Sequence, residues 1–193
     1  MNELETIQQL TSSKILLIGD SCIDRYYYGT VERISPEAPV PIFKVLKTEN
    51  TNGMCLNVND NLSAFDVSVD VITNEKEIVK ARHIDNKSRQ HLIRVDWGED
   101  ESTQPLTKED IKKINFNQYD AVIISDYNKG FITKKNVPTI LNLAKDIPVF
   151  VDTKKGDLSC FENCILKINE KERKNITTFP QSYSLIVTLG EKG

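Results

Sequence analysis

Carboxylates and lysines recur at one kind of position in this chain, directly after a short apolar run. Asp20 and Asp24 follow Lys14 to Gly19, and Ser125-Asp126-Tyr127 closes the run Asp120 to Ser125. Asp152 ends the next run, and Asn169 with Glu172 follows Cys164 to Ile168. Lysines stand after two of the same runs, at Lys129 and at Lys154-Lys155. A carboxylate accepts hydrogen bonds from hydroxyls, and a lysine meets a phosphate as a mobile point charge. The set points to binding of a small polar, phosphate-bearing ligand. Each member also has a structural job open to it. Asp20 or Asp126 can cap a turn or helix, Asn169-Glu170-Lys171-Glu172 can open a solvated helix, and Lys155 reads best as a surface lysine. Their joint placement carries the ligand reading, because open α/β sheets bind ligands outside the carboxyl ends of their strands.

Other chemistries lack their residues. No glycine-rich turn of the Walker or dinucleotide-binding kind links a strand to a helix. No serine or cysteine nucleophile has a motif with a histidine partner, since His83 and His91 are the two histidines. Cys22, Cys55, Cys160 and Cys164 show neither a disulfide framework nor zinc spacing, and they read as reduced thiols serving as small hydrophobes. The net charge of −3 argues against a nucleic-acid partner. No apolar run approaches the ~20 residues that span a membrane. The polar start, Met1 to Ser13, does not read as a signal peptide, so the expected location is cytoplasmic.

The apolar runs define elements that position these groups. Lys14–Gly19, Val67–Thr73, Asp120–Ser125, Pro148–Asp152, Cys164–Ile168 and Leu185–Leu189 read as strands, and Thr133–Lys145 has helical periodicity. Leu56–Phe65 is a poor but possible helix after Gly53. Glu77–Ile84 and His91–Trp97 form a hairpin around Asp85-Asn86-Lys87-Ser88, and Pro39 and Pro41 confine Val40–Leu46 to an edge. Alternating strands and helices predict an α/β fold, a three-layer Rossmann-like parallel sheet. A small β appendage is expected from about 26–50 and 77–97.

The stretch Ile18-Gly19-Asp20-Ser21-Cys22-Ile23-Asp24-Arg25-Tyr26-Tyr27-Tyr28-Gly29, with Arg33-Ile34-Ser35-Pro36-Glu37-Ala38-Pro39-Val40-Pro41, resembles the opening of heptose 7-phosphate kinases of the ribokinase/PfkB sugar-kinase family. Gln90 to Asp96, Ser125-Asp126-Tyr127-Asn128-Lys129-Gly130, Asn169-x-x-Glu172 and Val187 to Gly193 extend the likeness almost end to end. The resemblance implies a ribokinase-like domain over 1–193 with a β lid, acting on a phosphorylated heptose with ATP and Mg2+. It implies that Asp24, Gly53, Asn57 and Lys129 serve the sugar, that Arg82 and Arg94 of the lid meet its phosphate, and that Lys154, Asn169 and Glu172 lie near magnesium and the nucleotide phosphates. It also implies pairing of two copies through the lid, where Tyr26, Tyr27, Tyr28, Ile42, Phe43 and Val45 are expected along one exposed edge.

Three departures accompany it. The second of the family's paired hinge glycines is Met54, and Ile168 replaces the proline before Asn169. Thr73 to Glu77 leads almost directly into the hairpin, where the family has a further helix and strand. The family's G-A-G-D element, with its anion-hole amides and base, is expected beyond Gly193. The chain alone is therefore expected to be inactive, completed by a second chain, or a non-catalytic sugar-phosphate-binding or kinase-partner remnant.

Overall fold

The structure is a computed structural model, and it describes residues 12–99 and 103–193. Most of the polar start, Met1 to Ser13, lies outside the described residues. Six strands form one all-parallel sheet: β1 (Lys14–Gly19), β4 (Ser68–Thr73), β7 (Ala121–Asp126), β8 (Val149–Thr153), β9 (Cys164–Asn169) and β10 (Tyr183–Thr188), in the order β10-β9-β8-β7-β1-β4. Leu16, Leu17 and Ile18 of β1 are completely buried, as a central parallel strand covered on both faces requires. Ile111 of α2 (Lys108–Lys113) and Val137 and Ile140 of α3 (Val137–Leu143) pack on Leu16, Ile18, Val122, Ile124, Val151 and Leu166. Two more short helices are α1 (Cys55–Ser63) and α4 (Glu170–Lys174). The α/β fold expected from the alternation is the fold found.

A second sheet has the order β3-β2-β5-β6, built from β2 (Ser21–Ile34), β3 (Pro41–Met54), β5 (Val79–Asp85) and β6 (His91–Trp97). β3 and β6 are its edges, which suits Pro41 at the start of β3. The β5–β6 turn closes on the Asp85 carboxylate, which accepts from the Lys87 N–H at 3.1 Å and the Ser88 N–H at 2.7 Å. β4 passes into β5 through the five residues Asn74 to Ile78. The buried Asn74 side chain fixes that crossing: it accepts from the Ser21 N–H at 2.7 Å and donates to the Lys76 carbonyl at 2.7 Å.

Two local expectations change. Asp24, read as following β1 at its carboxyl end, lies within β2, because the chain re-enters a strand one residue past Asp20. The three tyrosines do not lie on an exposed edge, because β2 is paired with β3 on one side and β5 on the other, and alternate strand residues point to opposite faces. Tyr26 and Tyr28 stack at 6.4 Å on one face, while Tyr27 meets His83 at 4.9 Å on the other, where Phe43 approaches His83 at 5.2 Å.

Met54 joins β3 to α1 with φ 56° and ψ −127°. That region suits glycine and is strained for a side-chain-bearing residue, at a cost of ~1–3 kcal/mol. The Met54 side chain is buried against Cys22 and Ile78, with Tyr127 alongside, and this packing offsets the strain. Truncation separates the two effects. Met54→Gly should unfold at higher denaturant than Met54→Ala, by about 1 kcal/mol, reversing the usual order of alanine over glycine. Equal midpoints, or alanine the more stable, would refute strain at this position.

Candidate functional site

The carboxyl ends of β1 and β7 meet the second sheet around Asp20. Its carboxylate is completely buried and accepts the N–H groups of Tyr127 at 2.7 Å, Lys129 at 3.2 Å and Phe131 at 3.3 Å. Burial pushes its pKa up, opposed by those backbone donors. Asp20 thus holds the 127–131 loop in place and touches no open space. Of the two aspartates read after β1, it is the structural one.

A cavity of about 500 Å3 opens beside this loop, lined by Asp24, Gly53, Asn57, Lys80, Arg82 and Tyr127 among others. Arg82 donates to Asp24 Oδ1 at 2.6 Å, and its guanidinium lies over the Tyr26 ring at 5.2 Å. Gly53 is required here, because a Cβ at this position would stand 2.5 Å from Cys22 Sγ and 2.7 Å from Asp24 Oδ2. Burial and the Asp24 carboxylate push the Cys22 thiol up to about 11, so it remains a neutral wall. Lys80 pairs with Glu99 at 3.2 Å, and Glu99 also accepts from Lys129 Nζ at 2.6 Å. Burial opposes the charge of Glu99, but the two lysines outweigh it and hold the carboxyl below its ordinary value. Lys129 therefore buttresses the cavity through Glu99 without lining it. Arg94 is turned to Asp96, at 2.9 Å, and also stands outside the lining.

A second cleft, of about 310 Å3, lies at the ends of β8 and β9 between Lys154, Gly156, Asn169, Lys171 and Glu172. Asn169 and Glu172 close a reciprocal capping box on α4: the Glu172 N–H reaches Asn169 Oδ1 at 2.8 Å, and the Asn169 N–H reaches Glu172 Oε2 at 2.8 Å. The other Glu172 oxygen receives Lys154, which also pairs with Asp152 at 3.5 Å. Lys154 stands over the ring of Tyr127 at 5.5 Å, and Tyr127 also lines the first cavity, so this ring links the two clefts.

Lys155 is a correction. Expected at the surface, its side chain is only 10% exposed, with its ammonium donating to both oxygens of the fully buried Asp126, at 2.7 and 2.5 Å, and to the Ile132 carbonyl at 2.9 Å. Lys80, Asn52 and Asp60 line the cavity without having been singled out from the sequence as binding groups. Lys80 had a signal, since it alternates with Arg82 along β5. Asp60 had a weaker one, three residues after Asn57 on α1.

Among solved structures, Arabidopsis thaliana ribokinase complexed with ribose and ATP superposes over 94% of this chain and 73% of its own, with a TM-score of 0.58 at 12% identity. The fold is ribokinase-like. Phosphofructokinase-2 from Escherichia coli, in complex with fructose-6-phosphate, shares the ribokinase-like fold over 85% of this chain and 64% of its own, with a TM-score of 0.52 at 13% identity. In sequence the chain is similar to the bifunctional protein HldE of a Nitratiruptor species, 32% identical over 229 residues, covering 93% of this chain and 49% of that protein. The HldE of Wolinella succinogenes is 35% identical over 199 residues, covering 84% and 41%. The chain spans about half the length of these relatives, or less. No family model matches. The first alignment runs over 229 positions while taking in 93% of a 193-residue chain, so that relative carries residues this chain lacks. No helix among the described residues is long and apolar enough to cross a membrane.

Proposed function

We propose that this chain is the sugar-binding part of a carbohydrate kinase and takes a phosphorylated heptose, heptose 7-phosphate, in the cavity between the second sheet and the ends of β1 and β7. The observation that carries this is the convergence of Asp24, Gly53, Asn57, Lys80 and Arg82 on one cavity, in a chain similar to HldE proteins. Asp24, held by Arg82, accepts hydrogen bonds from sugar hydroxyls, with its Oδ2 beside Gly53. Lys80 and the remaining Arg82 N–H groups meet the sugar's own phosphate, where a guanidinium makes forked, charge-assisted bonds. The second sheet then serves as the lid.

A nucleotide fits the second cleft by charge. Lys154 Nζ is already gripped by Asp152 and Glu172, a lysine–carboxylate set that suits a phosphate with its metal ion. Lys154 and Lys171 would hold phosphates of ATP and Glu172 the Mg2+, and the bound nucleotide would supply the transferable phosphoryl group with its charge screened. Tyr127 and Lys154 stand between the two clefts, and Lys154 is placed to steady negative charge passing between them. The outer lid face carries Tyr27, His83 and Phe43, with Ile93 and Trp97 exposed. A second copy of the chain is the proposed partner there.

The expected result in titration calorimetry is saturable binding of heptose 7-phosphate by the 193-residue polypeptide, and no heat at millimolar sugar would sink the proposal. These 193 residues contain no Gly-Ala-Gly-Asp sequence. A coupled ADP-release assay on them alone should stay at background, because losing one oxyanion donor already slows a reaction ~100-fold. Turnover near one per second, ordinary at ~1–100 per second for kinases, would show that the described clefts suffice for transfer.

A further inference from the structure

We propose that Asp60 decides which sugar the cavity accepts, by taking hydroxyl hydrogens at the end of the ligand remote from its phosphate. The inference rests on the sugar-phosphate reading above and deepens it. Asp60 lies on α1 three residues after Asn57, so the two side chains are neighbours on one helix face, and both line the cavity. Its described hydrogen-bond partner is the Asn52 side-chain amide, which stands 3.0 Å from each carboxylate oxygen.

An ionised carboxylate offers about four acceptor sites, and one amide nitrogen can use two of them at most. Asp60 therefore keeps acceptor capacity for a ligand. Asp24 differs, because a guanidinium at 2.6 Å both satisfies Oδ1 and balances its charge. A neutral amide leaves the charge of Asp60 unbalanced.

That contrast orients the ligand. Lys80 and Arg82 lie on β5, and Asn52 lies on β3, with β2 between them. Two strand spacings separate these sides by ~10 Å, which is enough for a phosphorylated sugar to span. A phosphate placed at Asp60 meets a like charge, whereas at Lys80 and Arg82 it meets two cations. The phosphate therefore goes to the β5 side, and the hydroxyls furthest from it reach Asn57 and Asp60. A site built to accept a hydroxyl rejects a ligand that lacks it, because its polar groups are then left unpaired. The cavity consequently favours a long polyhydroxylated sugar phosphate over a shorter one.

The test is titration calorimetry with heptose 7-phosphate and ribose 5-phosphate on the full 193-residue chain. The wild type should bind the heptose phosphate at least ~10-fold more tightly, the equivalent of one lost hydrogen-bonded hydroxyl. Asp60→Asn keeps an oxygen for Asn52 but gives up half of the acceptor oxygens, and it should reduce that preference to within about twofold at an unchanged melting temperature. Asn52→Ala frees the helix from β3 but retains the carboxylate, and it should keep most of the preference. A preference untouched by Asp60→Asn, or erased equally by Asn52→Ala, overturns the role of Asp60 while sugar-phosphate binding stands. A wild type that binds neither sugar overturns both.

Discussion

Lys155→Met should lower the unfolding free energy by about 3–5 kcal/mol, the range for breaking a buried ion pair by removing one partner. The Asp126 carboxylate has no solvent exposure and the Lys155 side chain is 10% exposed. Without the ammonium, Asp126 retains the Thr153 hydroxyl at 2.7 Å and the Asn128 N–H at 2.9 Å, two neutral donors for a full negative charge. The Ile132 carbonyl loses its donor as well. The cost comes from the stranded charge rather than from the worth of the pair. Lys155→Met combined with Asp126→Leu should accordingly recover part of the loss, as apolar replacement of buried pairs does. Denaturant unfolding measures this, with Lys171→Met, an exposed lysine on α4, as the control expected to leave the midpoint unchanged. A Lys155→Met midpoint as close to wild type as the control's would mean that the ion pair opens to water.

The same residue marks what the sequence withholds. Apolar runs located the parallel strands to within a residue or two, because central strands must bury both faces and their composition shows it. The polar hairpin of β5 and β6 was legible for a related reason, since alternation with Lys80, Arg82, Arg94 and Asp96 does not suit a doubly covered strand. Lys155 was not legible. Lys154 and Lys155 are adjacent and chemically identical, and which of them turns inward depends on Asp126, twenty-nine positions earlier, arriving on the neighbouring strand. Asp20 and Asp24 pose the same problem, because one fastens a loop and the other lines a cavity. The β2 strand that carries Asp24 begins one residue after Asp20, without an apolar run to announce it. Asp60 stayed hidden because its partner, Asn52, is set by how β3 turns through Met54 into α1, and nothing local in the sequence specifies that turn.

Gly53→Ala should weaken heptose 7-phosphate binding by about 10–100-fold, the equivalent of one charge-assisted hydrogen bond at ~1.5–3 kcal/mol. The added methyl would lie 2.5 Å from Cys22 Sγ, 2.7 Å from Asp24 Oδ2 and 3.1 Å from Asp24 Cγ. Real Cβ atoms do not approach other atoms as closely as the first two of these distances, so something must move. Cys22 faces Gly53 across the β2–β3 ladder and is 3% exposed, which leaves its sulfur little room. Asp24 borders the cavity and is the group free to give way. Its displacement loosens the bond from Arg82 at 2.6 Å, and both groups then leave the positions at which they would hold the sugar. Cys22→Ala tests which atom matters. Added to Gly53→Ala, it removes the sulfur and should restore much of the lost melting temperature, yet binding should stay weak because the clash with Asp24 persists. Recovery of binding in the double variant would assign the effect to packing around Cys22 and take Asp24 out of the sugar site.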